Sequence, residues 1–130
     1  MPEPFTDGPS LLANAQRHAL RRKLLAQLLK DYRRAGLDPP FRAGADRAFP
    51  GDAEVLEQLT FSIYRLLMNR FDGYLNLMYA ADVPEKAFRD LDVADPVEAA
   101  RALVFILLRR QWEKVWLRST YGSRKNGSSC

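Results

Sequence analysis

Residues 52–81 constrain the fold of this chain more than any other stretch, because they carry two separate apolar seams on one expected helix. Placed at about 100° per residue, Leu56, Leu59, Ile63, Leu66, Leu67, Tyr74 and Leu77 form one seam. Phe61, Tyr64, Met68, Phe71, Leu75 and Met78 form the other, in alternating steps of three and four that match the spacing of helix-pairing seams. A helix apolar on one stripe is satisfied by one neighbour, whereas a helix with two must be covered twice, by its own chain or by a partner. Gly73 does not disturb the phase of the pattern, which therefore predicts one continuous or slightly kinked central helix about 45 Å long. Within it, glycine would permit the close approach of a neighbour.

The flanking segments carry their own end signals. Ser10 offers an N-cap hydroxyl to a helix over 10–35, and Gly36 stands where chains leave a helix in the left-handed conformation. Leu11, Ala15, Leu25, Leu28, Leu29 and Tyr32 form its buried stripe. Residues 37–51 contain three prolines and two glycines without periodicity, and read as a long connection packed by its own Phe41 and Phe49. Asp52 is the expected cap of the central helix, with Glu54 and Glu57 near its positive end. Asp82-Val83-Pro84-Glu85 reads as a capping box opening a short helix to about Arg89, and Asp95-Pro96-Val97-Glu98 repeats the device for a last helix over 96–119. On that helix Val104, Phe105, Leu107, Leu108, Trp112, Val115 and Trp116 share a broad face that leaves Leu103, Ile106 and Leu117 outside it.

The expected fold is all-α: an antiparallel bundle of three long helices and one short one around the long central helix, with 1–119 as one domain and 120–130 as a disordered basic tail. At 130 residues such a domain buries roughly two-thirds of its unfolded surface and needs no disulfide or metal. The single cysteine, Cys130, provides neither. The acidic start of the chain does not resemble a secretory signal, and the longest wholly apolar run, 102–108, is far shorter than the about 20 residues of a membrane span. A cytoplasmic protein without a transmembrane segment is expected.

Charge is distributed unevenly around a formal net of +4. Residues 10–36 hold seven basic residues against one acidic, 96–130 hold seven against two, and 52–95 hold four against nine. Chemistry-bearing patterns are sparse. His18 is the only histidine, no glycine-rich phosphate loop occurs, and the one polar line on the central helix, Arg65, Asn69, Asp72 and Asn76, has a single carboxylate. These features point away from an enzyme and call for no cofactor or metal. The leading expectation is a non-catalytic interaction, regulatory or adaptor module acting as a homodimer or with another protein partner. Its interface would draw on Phe61, Tyr64, Met68, Phe71, Leu75 and Met78, or on the Ile106 and Leu117 patch. The alternative is nonspecific nucleic-acid binding through Arg17, Arg21, Arg22, Lys30, Arg33 and Arg34.

Overall fold

The computed structural model describes residues 7–42, 48–89, 91 and 94–128, with side chains through Thr120. Among the described residues it is all-helical and contains no strand. The helices are α1 (Gly8–Arg17), α2 (Arg21–Arg34), α3 (Asp52–Asn69), α4 (Phe71–Ala80), α5 (Glu85–Phe88) and α6 (Pro96–Ser128). The three expected long helices are thus five pieces. α6 runs past the expected end near Ser119 and through most of the segment read as a tail.

Each difference has a local cause. The segment expected as one helix over 10–35 breaks at Ala19, which takes a φ of 57°. Leu20 N–H then donates to Ala15 O at 2.8 Å and Ala19 N–H to Gln16 O at 3.0 Å, the paired bonds of a Schellman motif. Leaving the helix here buries Leu20, and His18 packs its ring against Trp116 and Trp112 at centroid distances of 5.1 and 5.8 Å. The same two bonds recur at the end of α2, where Gly36 has a φ of 76° as its glycine suggests. They recur again at the end of α4, with Asp82 at a φ of 60°. Asp82 is therefore the residue that terminates α4 and not the cap that opens α5, whose N-cap position is Pro84. Asp7, not Ser10, caps α1: its carboxylate accepts from Ser10 N–H at 2.9 Å, which holds its pKa below the ordinary carboxylate value. Asp95 is the cap expected for α6, accepting from Glu98 N–H at 3.2 Å.

The central helix is interrupted at Arg70, whose φ of −145° and ψ of 69° lie outside the helical region. Asn69, Asp72 and Gly73 all propagate helix poorly, so the ladder is weakest around this residue. Gly73 does allow close packing. A Cβ there would lie 3.1 Å from Leu37 Cδ2 and 3.3 Å from Leu66 Cδ2. Beyond the break Met78 is fully buried alongside Tyr74 and Leu77, while Tyr79 is 60 % exposed.

The first seam is covered: Leu59, Ile63 and Leu77 are fully buried, Tyr74 nearly so, and Leu56, Leu66 and Leu67 pack at its margin. The element that touches most of the others is α6, which packs on α1, α2, α3 and α5, while α4 packs on α2 and α3. The organising helix is therefore α6, with Leu103, Leu107, Leu108, Trp112 and Val115 buried along it. In the 37–51 connection Phe41 and Phe49 meet edge to face at 6.1 Å, as expected of a loop packed by its own aromatics.

Candidate functional site

One face of α3 is left uncovered. Glu54, Glu57, Phe61, Arg65 and Met68 are all exposed and follow one another at steps of three, four, four and three, which aligns them along the helix. Phe61 is 59 % and Met68 54 % exposed, large values for apolar side chains this close to a packed core. Phe61 stands as a ridge between two grooves. One, of about 870 Å³ and mostly apolar, lies between α3, the start of α1 and the start of α6, and is lined by Leu56, Phe61, Tyr64, Val97, Val104 and Phe105. Its acidic residues are Asp7, Glu57 and Glu98, the last paired with Arg101 at 2.8 Å. The other, of about 700 Å³ and mostly polar, lies between α3 and the 36–42 segment and carries Arg42, Arg65 and Arg70 together with Asp38 and Glu57.

Local packing fixes the shape of this face. Gly8 presses so closely on α3 that a Cβ there would lie 2.8 Å from Leu56 Cδ2, so the start of α1 forms a tight wall of the apolar groove. Tyr32 from α2 reaches under the polar groove to share a hydrogen bond with Ser62 Oγ at 2.9 Å. Burial pushes the Tyr32 phenol well above its ordinary pKa, with the Ser62 bond opposing the shift in part. Arg65 lies over the Phe61 ring with its guanidinium carbon 5.7 Å from the centroid, a cation–π contact that leaves the ion exposed.

The residues expected at an interface divide accordingly. Phe61, Met68 and Phe71 are exposed, the last at 50 %, while Tyr64 and Leu75 are half-buried and pack against the core. Met78 is fully buried beside Tyr74 and Leu77, so it does not belong to a surface seam. Leu117 is 60 % exposed on α6, and Ile106 is half-buried against the core. The polar line Arg65, Asn69, Asp72 and Asn76 is cut by the break at Arg70, and Asp72 stands 3.6 Å from that residue at the surface.

The expected nucleic-acid set is likewise divided. Arg17 lies on α1, bonded to Asn14 Oδ1 at 3.1 Å, and the others lie on α2 beyond the turn at Ala19. Arg21 is drawn into the fold: it donates to Asp52 Oδ1 at 2.7 Å and Pro50 O at 2.6 Å, which ties α2 to the start of α3. This contact also explains why Asp52 does not cap α3, whose N-cap position is Gly51. Arg22, Lys30, Arg33 and Arg34 remain at the surface.

A second polar cluster escaped the reading of the sequence. Asp31 on α2 is wholly buried, and its Oδ2 accepts from Gln111 Nε2 at 2.6 Å and Lys114 Nζ at 2.8 Å, while Oδ1 accepts from Gln27 Nε2 at 3.0 Å. Arg118 extends the network by donating to Gln27 Oε1 at 3.2 Å. Both carboxylate oxygens are occupied and neither groove is lined by Asp31, so this cluster fastens α2 to α6. Among the described residues there is no group of three or more His, Cys, Asp or Glu placed to hold a metal ion, and no helix is long and apolar enough to cross a membrane. No protein-family model, curated protein or solved structure matches the chain.

Proposed function

We propose that this chain is a non-catalytic protein-interaction module that acts as a homodimer through the uncovered face of α3. The observation that carries the reading is Phe61, 59 % exposed on a helix whose opposite seam holds Leu59 and Ile63 at zero exposure. An exposed aromatic set between grooves is the kind of anchor that interfaces use, because its burial removes a large apolar area from water at little rotamer cost. The alternative, polyanion binding by α2, is supported by the basic surface set Arg22, Lys30, Arg33 and Arg34.

Size-exclusion chromatography with light scattering, run from micromolar to hundreds of micromolar, tests the proposal. The expected mass is twice the 14.9 kDa of one chain. A single-chain mass across the whole range overturns it.

A further inference from the structure

Resting on the homodimer reading, we infer that the occupant of this face is the α3 of a second copy, crossing antiparallel at Phe61 so that Glu57 of each chain meets Arg65 of the other. Three observations converge on this arrangement. The first is the spacing. Glu54, Glu57, Phe61, Arg65 and Met68 lie at −7, −4, 0, +4 and +7 from Phe61, a pattern that reads the same in both directions. A two-fold axis through Phe61 requires such a pattern, because it places each residue opposite the one equally far along in the other direction.

The second is charge. Glu57 and Arg65 are both exposed, and among the described residues neither takes part in a salt bridge. Eight residues apart on one helix, they are separated by about 12 Å of rise and cannot pair within the chain. A parallel two-fold pairing would set Glu57 on Glu57 and Arg65 on Arg65. The antiparallel pairing sets each on its opposite, twice, so complementarity chooses the orientation. Farther out, Met68 comes to lie along the methylene carbons of the partner's Glu54.

The third is shape. A two-fold interface must be complementary to itself, so a projection needs a hollow beside it. Phe61 is that projection, and the apolar groove lined by Leu56, Tyr64, Val97 and Phe105 is the hollow next to it. When two such helices cross, each ridge enters the groove beside the other. The wall built by Gly8 against Leu56 closes one end of that groove.

Charge reversal tests the geometry. Glu57→Arg and Arg65→Glu are each expected to weaken self-association at least about tenfold, since each places like charges opposite one another at two symmetric points. Mixed in equal amounts, the two variants restore both opposite-charge pairs, and a heterodimer within about threefold of the wild-type affinity is expected. The mixture also serves as the folding control, because misfolded chains would not recover on mixing. If wild type is dimeric and the single variants remain equally so, this crossing is wrong while the homodimer reading stands. If the singles dissociate and the mixture does not reassociate, the residues are not opposed and the crossing again falls. A wild type that is monomeric throughout removes both.

Discussion

Asp31 and Glu57 are carboxylates on two helices that meet in the same core, and the fold treats them in opposite ways. Asp31 is wholly buried, and donors from Gln27, Gln111 and Lys114 occupy both of its oxygens. A charge removed from water must be compensated inside the chain, because leaving it unpaired costs several kcal/mol. Glu57 stays in water, which compensates it without any protein partner. The difference separates two duties. Polar groups around Asp31 fix how α2 sits on α6, whereas those around Phe61 remain available for a contact outside the chain.

The contrast can be broken most forcefully at Lys114. Replacing it with Ala leaves Asp31 buried without its cation, and we expect a loss of about 3–5 kcal/mol in chemical denaturation. The paired change Asp31→Leu with Lys114→Met, which removes both charges, should recover most of that loss. A double variant as unstable as the single would show that the ion pair is not the source of the effect.

A smaller effect is expected from pH, acting through Tyr32, the neighbour of Asp31 that reaches α3 at Ser62. Burial raises the phenol pKa of Tyr32 above its ordinary value near 10.0 and pushes Tyr74 up to about 12. The folded chain thus keeps protons that the unfolded chain releases. Stability is fully present below about pH 10 and falls as pH rises toward the folded values, by up to about 1.4 kcal/mol per pH unit from Tyr32 alone. Denaturation midpoints that stay flat between pH 9.5 and 11.5 would contradict the burial of both rings.

The smallest stability effect should come from Phe61→Ala. With this residue 59 % exposed, the folded monomer should change by no more than about 0.5 kcal/mol, measured at a dilution that disfavours association. At high concentration the same change should lower the average mass. A monomer destabilised by about 2 kcal/mol or more would instead place Phe61 in the core and merge the two regions being compared.

Much of this architecture was legible from single residues. Gly36, Asp95 and the first seam of α3 each act through a local rule, and each does what its type and position predict. Ala19 and Asp82 make the same turn as Gly36 without the glycine that would signal it, because gains elsewhere, such as the burial of Leu20 and Val83, outweigh a left-handed backbone cost of about 1–2 kcal/mol. Asp31 could not be read at all. Its partner Lys114 is 83 residues away, and on a basic helix an isolated carboxylate looks like any other surface charge. At the candidate interface the exposed Phe61, Met68 and Phe71 were legible as a second seam. The burial of Met78 was not, since it depends on which helices pack on α4.

The break at Arg70 also settles a matter of length. An unbroken helix over 52–81 would run about 45 Å in one direction. Divided at Arg70, the same residues make rods of about 27 and 15 Å, and the shorter one packs on α2 with Leu77 and Met78 inside. The interruption is what lets one apolar stretch supply two rods to the same core.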